Sequence, residues 1–433
     1  MLGYKTKTDN PYLQENYAPV TEIVEATNLE VIGQIPHDLS GLFVRNGPNP
    51  MNNPKPAKYH WFAGQGMLHG VRLEAGKALW YRNQSVKGDG STPNTHVIPH
   101  GGKIYAIVEA GGAPVEIDQN LNSRSDAPFQ GTLNKGFTAH GKLDAATGEL
   151  HGICYDFARG YQLQHIVVGP DDKVRQTRVI DLPGKPMVHD CAITENYFIV
   201  LDLPVVFHTP APGEEGGLSS YRWQEEYGSR VGLLPKSGTA DEIVWCEVDN
   251  CFVFHSLNAY EDAEGRVVLD VVRHPKMFAT NLTGPGEGPP TLDRWLLDPR
   301  DGSAKESRIS DRPQEFPRHD ERRVGQPYRY GYCGASGAAG LYGGLLKHDL
   351  ETGECLHRDD GHSKQYQEPV FVPRGDDTDE DDGWIMSYRH DAERNTAEVV
   401  ILHAQDFLGE PVAVIDLGVR VPFGFHGNWV SDA

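Results

Sequence analysis

Short runs rich in Val, Ile, Phe and Tyr recur from one end of the sequence to the other, and glycine-bearing turns separate them. Lys103 to Val108, Asn196 to Leu201, Cys251 to His255, Arg266 to Val272, Trp384 to Tyr388, Glu398 to His403 and Val412 to Leu417 read as strands. Glu74-Ala75-Gly76-Lys77, Ala263-Glu264-Gly265-Arg266 and Pro299-Arg300-Asp301-Gly302 each place a glycine where a tight antiparallel connection needs a positive φ. With 48 glycines and 30 prolines in 433 residues, long helices have little room. Leu218 to Tyr227 is the stretch that could hold two helical turns. The pattern Lys-x-Asp-x-x-Thr-Gly-Glu occurs at Lys142 and again at Lys347. Such weak internal repetition is what the blades of a β-propeller show. Roughly seven blades would take about 60 residues each, which leaves residues over for loops on one face. No linker or break in composition divides the chain, so residues 1–433 are read as one all-β domain.

Charge narrows the partners. The formal net charge is −21, which repels nucleic-acid backbones and anionic headgroups. No nucleic acid is expected, and at most a peripheral, apolar contact with a membrane. There is no run of 18 apolar residues, and the start of the chain lacks the apolar stretch of a signal peptide. The six cysteines contain no C-x-x-C pair, so a reduced, cytoplasmic protein is expected. The acidic run Asp376 to Asp382 fits no EF-hand spacing and reads as a solvated loop.

The sequence holds 19 histidines. Most adjoin turns or charges and read as surface residues. Four have mainly apolar or small neighbours: His140 after Gly136-Phe137-Thr138-Ala139, His189 after Pro186-Met187-Val188, His255 after Cys251-Phe252-Val253-Phe254, and His426 after Pro422-Phe423-Gly424-Phe425. Radial strands can bring such distant residues to one axis, where converging imidazoles would bind Fe, Zn, Cu or Ni. Pattern alone equally allows four core histidines. A ligating histidine also needs an acceptor for its second ring N–H. Glu109, Glu315 and Glu368 are candidates, because each lies in an unusually apolar stretch. A strand-end glutamate facing solvent is the plainer reading of each.

At these residues the sequence resembles the carotenoid cleavage oxygenase family. The resemblance runs through Gly41-Leu42-Phe43-Val44-Arg45-Asn46-Gly47-Pro48-Asn49-Pro50, Tyr59-His60-Trp61-Phe62, Gly66-Met67-Leu68-His69-Gly70 and Val188-His189-Asp190. It continues through Phe254-His255-Ser256-Leu257-Asn258-Ala259-Tyr260, Glu368-Pro369-Val370-Phe371-Val372-Pro373-Arg374 and Gly424-Phe425-His426-Gly427. It implies a seven-bladed β-propeller with a dome of loops and helices over one face. It implies Fe(2+) held by His140, His189, His255 and His426, with Glu109, Glu315 and Glu368 holding three of the imidazoles. Thr95 matches a threonine that crowds the open iron position. The implied reaction is scission of a conjugated C=C bond by O2 into two carbonyl products, on an apolar polyene or aromatic alkene.

The sequence departs from the family pattern in three places. The chain is short for the family, with only a few residues between Val86 and Ser91. The stilbene-cleaving branch has a lysine directly before the first glutamate, and Val108 stands there instead. A valine neither accepts a proton nor stabilises a phenolate, which favours a carotenoid or apocarotenoid over a hydroxystilbene or phenylpropenoid. Ala63 and Gln65 replace two acids of the family pattern. A propeller that only binds partners, or an alkene isomerase that spares the bond, are the competing functions.

Overall fold

The computed structural model describes residues 9–51, 54–88, 92–124, 127–134, 136–209, 218–282, 287–336 and 342–432. Seven antiparallel sheets among these residues are the blades of a seven-bladed β-propeller. The fifth blade shows the plan: Phe252–Glu261, Val267–His274, Thr291–Leu297 and Ala304–Ser310 in simple up-and-down order. Its innermost strand is buried over its first eight residues, whereas its outermost strand alternates and is half exposed. Phe252 to Ala259 meet protein on both faces, so burial there does not alternate.

The ring closes by pairing the two ends of the chain. Gly427–Ser431 is the inner strand of the first blade and pairs with Gly41–Pro48. Glu30–Gly33 is the outer strand of the seventh blade and pairs with Ala413–Asp416. Closure of this kind ties the last strands of the chain to the first, and the radial arrangement leaves only short, protected sheet edges. A chain ending at His426 is therefore expected to lose cooperative folding. A thermal melt followed by circular dichroism checks this, and a sharp transition near that of the full chain would contradict it.

The hairpin turns are where the glycines place them. Gly76, Gly265 and Gly302 all have positive φ. The repeated octapeptide has a different meaning from the one expected. In both copies the aspartate side chain accepts two backbone N–H groups, its carbonyl accepts the glycine N–H, and the threonine hydroxyl accepts the final glutamate N–H. One copy joins the first two strands of blade three, the other the last two of blade six. The repeat is thus a shared turn chemistry rather than a blade period.

The dome contains loops and three- or four-residue 3-10 turns, and no α-helix among the described residues. Leu218 to Tyr227 is not two helical turns. A 3-10 turn, the strand Tyr221–Trp223 and a second 3-10 turn occupy it. Tyr221–Trp223 pairs with Val205–Phe207, so tertiary pairing of aromatic, strand-favouring residues overrides a short helical pattern. The Gly-Gly pair before it lies outside the described residues, as do positions 89–91 of the short segment after Val86. No helix among the described residues is long and apolar enough to cross a membrane.

The acidic loop is not simply solvated. Asp381 is buried against Lys347, 2.6 Å away, and Glu380 accepts the backbone N–H groups of Arg329 and Tyr330. The charge run is used to fasten the loop to blade six.

Candidate metal centre

Each of the four histidines enters the axis from a different blade. His140 and His189 stand just before the inner strands Lys142–Asp144 and Cys191–Ile193, His255 lies inside Phe252–Glu261, and His426 directly precedes Gly427–Ser431. One ring nitrogen from each lies within 4.8 Å of those of the other three. His140, His255 and His426 are buried, and the His189 side chain is 11 % exposed.

Local backbone irregularities aim these side chains. The register of Phe252–Glu261 on its neighbour slips between Val253 and Ser256, on either side of His255. The strand Gln314–His319 slips between Glu315 and Arg318, with Phe316 at φ 55° and a proline next to it. Such bulges turn a side chain away from the alternation its strand would impose. Glycine makes room at the last ligand position: a Cβ on Gly424 would lie 1.4 Å from Arg45 Nη1.

Three carboxylates hold three of the rings. Glu109 Oε1 lies 2.8 Å from His189 Nδ1, Glu315 Oε2 2.5 Å from His255 Nδ1, and Glu368 Oε1 2.8 Å from His426 Nδ1. A carboxylate only accepts, so each Nδ1 donates and each Nε2 is left with its lone pair. His140 Nε2 lies 3.1 Å from His189 Nε2. His255 Nε2 is buried with no hydrogen-bond partner. An all-imidazole set with an orphaned, inward nitrogen fits a divalent transition-metal ion.

The electrostatics favour free lone pairs on two of the four rings. Burial pushes the His140 and His426 imidazoles well below their ordinary range, and the neighbouring imidazoles push the same way. Burial also lowers His189, but the Glu109 carboxylate outweighs it and holds the ring above its ordinary value. Burial would raise Glu109 and Glu315, yet their histidine partners hold both below the ordinary 4.5. Groups depressed in this way contribute stability that is present above 4.5 and lost as pH falls below it. The melting temperature is expected to fall as pH drops through that value, and to fall less steeply in Glu315→Gln. Parallel acid profiles for the two proteins would contradict the assignment.

The cluster stands between two cavities. The larger, of about 380 Å³, is walled by apolar groups including Trp61, Phe62, Val108, Phe254, Phe316 and Phe425, and it exposes His189, His255 and His426. The smaller, of about 120 Å³, shares His255 and His426 and adds His140, Lys142, Asp190 and Arg318. Thr95 lines the larger cavity. Its hydroxyl donates to Asn94 Oδ1 at 3.1 Å, and its carbonyl accepts the His426 N–H at 3.1 Å. Gln65 Oε1 accepts the Met51 N–H at 3.0 Å, and Ala63 closes the 3-10 turn that carries Trp61 and Phe62.

Several partners have no signal in the sequence. Tyr155 donates to Glu109 Oε2 at 2.7 Å, and Arg318 lies 3.1 Å from Glu368 Oε2. His274 Nε2 lies 2.7 Å from Glu315 Oε1. The other histidines are less superficial than their neighbours suggest. His69 meets the Tyr81 hydroxyl at 2.9 Å, His151 meets His165 at 3.0 Å, and His348 meets Gln314 Oε1 at 2.7 Å, all buried. His96 sits beside the cluster, its ring 5.1 Å from that of His426, but its Nε2 turns to the Gly427 carbonyl at 3.3 Å. His69, His151 and His348 each meet a side chain distant in sequence, which local context does not show.

Fold and site together define a propeller with a candidate metal centre on its axis, opening on an apolar cavity. The family model described as retinal pigment epithelial membrane protein matches residues 17–431. The chain is 37 % identical to a carotenoid cleavage oxygenase of Mycobacterium tuberculosis over 98 % of each chain, and 30 % identical to an isoeugenol monooxygenase of Pseudomonas nitroreducens, again over 98 % of each. Among solved structures, the lignostilbene dioxygenase of Pseudomonas brassicacearum superposes with a TM-score of 0.89 at 27 % identity, covering 98 % of this chain and 99 % of that one. Cobalt-substituted Synechocystis ACO gives 0.86 at 25 %, covering 95 % and 97 %. The chain belongs to the carotenoid cleavage oxygenase family. The alignment with the mycobacterial relative spans 492 positions, more than the 433 residues present here.

Proposed function

We propose that the protein is a non-haem Fe(II) dioxygenase that cleaves a conjugated C=C bond of a carotenoid or apocarotenoid with O2, giving two carbonyl products. The observation that carries this reading is the four-imidazole cluster at the floor of an apolar cavity. His140, His189, His255 and His426 would hold the ion, and Glu109, Glu315 and Glu368 would fix three of the rings. Bound there, ferrous iron supplies O2 activation and a template for the alkene. The chain's own part is to exclude water with its aromatic walls and to lay one double bond across the cluster. Thr95, tied through its carbonyl to His426, would narrow the space beside the ion. We treat residues 1–433 as one cytoplasmic domain.

Val108 supports the polyene over the phenolic alkene, since it offers the cavity no base. The opposite reading is favoured by the likeness to a lignostilbene dioxygenase and an isoeugenol monooxygenase. A panel of β-apocarotenals, a full-length carotenoid, hydroxystilbenes and isoeugenol separates them. Cleavage of the apocarotenals is the expected result. Cleavage of stilbenes without apocarotenals would overturn the substrate assignment.

A further inference from the structure

Asp190 directly follows the candidate ligand His189 and is 1 % exposed. Its carboxylate gathers groups from three successive blades. Oδ1 accepts the Cys191 N–H at 2.7 Å and lies 2.9 Å from Lys142 Nζ. Oδ2 accepts the Ser256 N–H at 2.8 Å and the Ser256 hydroxyl at 2.7 Å. Lys142 opens the inner strand Lys142–Asp144 of blade three, Cys191 opens Cys191–Ile193 of blade four, and Ser256 lies in Phe252–Glu261 of blade five. These residues stand two, two and one positions beyond His140, His189 and His255. One buried carboxylate therefore ties together the segments that carry three of the four candidate ligands.

The glutamates act on rings, through Nδ1 of His189, His255 and His426. No carboxylate among the described residues meets the His140 ring. That histidine is held through its backbone at the same junction: its carbonyl accepts the Cys191 thiol at 3.6 Å, and Lys142 reaches Asp190. In blade five, the slip in register that aims His255 ends at Ser256. A bulge disturbs the ladder, and a buried N–H there needs an acceptor. Asp190 is that acceptor.

We infer that Asp190 is a positioning residue that sets the spacing of His140, His189 and His255, and so the affinity and geometry with which an ion is held. This rests on reading the cluster as a metal site. It adds a fourth carboxylate, acting on the strands that carry the ligands. Its charge also offsets Lys142, which lines the smaller cavity together with His140, His255 and His426.

Titration of the metal-free protein with cobalt(II), followed by the visible absorption of the bound ion, tests this without requiring turnover. Asp190→Ala is expected to weaken binding about tenfold to hundredfold and to shift the absorption bands, which report how the ligands are arranged. Asp270→Ala is the matched control. Asp270 is also buried, 2.8 Å from Arg294 Nε and 2.6 Å from the Tyr328 hydroxyl, so its side chain bonds no residue next to a candidate ligand. Its loss should lower the melting temperature and leave affinity and bands unchanged. Adding Lys142→Met to Asp190→Ala removes the unbalanced charge, and the bands should stay altered. Full recovery in that double variant would make Asp190 a counter-charge only and overturn the proposal. Unchanged affinity and bands in Asp190→Ala, or equal losses in Asp270→Ala, would overturn it as well. Should Asp190→Ala fail to fold, Asp190→Asn, of the same size, carries the test, with a loss of about tenfold expected. An unaltered protein that binds no cobalt removes the metal reading and this role with it. Weakened binding in Asp190→Ala, beside an unaltered protein that binds iron yet shows no O2-dependent turnover, would leave Asp190 as assigned and remove the oxygenase reading.

Discussion

His255→Ala is expected to abolish metal binding and O2-dependent turnover together. His255 is buried, its Nδ1 is committed to Glu315, and its Nε2 has no protein partner. Removing it takes one of four donors from the cluster and leaves Glu315 with His274 and the Phe316 N–H. Loss of a ligand costs more than the tenfold to hundredfold that disturbing its outer partner does, so iron content should drop below about a tenth of a full site. His96→Ala is the matched control. His96 is also buried within 6 Å of the cluster rings, but its Nε2 faces a backbone carbonyl, so that variant should keep its iron. Metal analysis of both proteins decides the matter. Equal iron in the two, or turnover that persists in His255→Ala, would contradict the ligand assignment.

Glu368→Ala is expected to damage both the site and the fold. Glu368 accepts from His426 Nδ1 at 2.8 Å and from the Gly427 N–H at 2.7 Å, and it lies 3.1 Å from Arg318. Arg318 is 8 % exposed and also donates to the Gly427 carbonyl. One carboxylate thus orients a candidate ligand, anchors the first residue of the strand that closes the ring, and neutralises a buried guanidinium. Breaking a buried pair by removing one partner costs roughly 3–5 kcal/mol. Glu321 remains beside Arg318 and takes part of its charge, which places the expected loss toward the lower end. Denaturant unfolding measures it. A loss below about 1 kcal/mol, the size of an exposed pair, would mean that Glu368 is not the anchor described.

The legible parts of this molecule are those written locally. Strand runs and glycine turns rest on side-chain chemistry within a few residues, and they match the observed hairpins closely: Trp384 to Tyr388, for instance, is the middle of Gly383–Asp391. The four histidines stood out because their immediate neighbours are apolar, and the family resemblance supplied the reason to group them. What the sequence hid depends on distant pairing. Tyr155, Arg318 and His274 meet their carboxylates from 46, 50 and 41 residues away, and no local pattern marks them. Glu315 and Arg318 face the same interior because a bulge breaks the strand between them, which alternation alone would not allow. The acidic run misled for a related reason: Asp381 is buried because Lys347 waits for it on another hairpin.

Loading the metal-free protein with ferrous iron and supplying isotopically labelled O2 with an apocarotenal tests the oxygenase reading most directly. Label in both carbonyl products, with one O2 consumed per bond cleaved and none without iron, is the expected result. Label in only one product would make the protein a monooxygenase. An isomerised alkene with no O2 consumed, or cleavage that does not need iron, would contradict the four-histidine oxygenase site altogether.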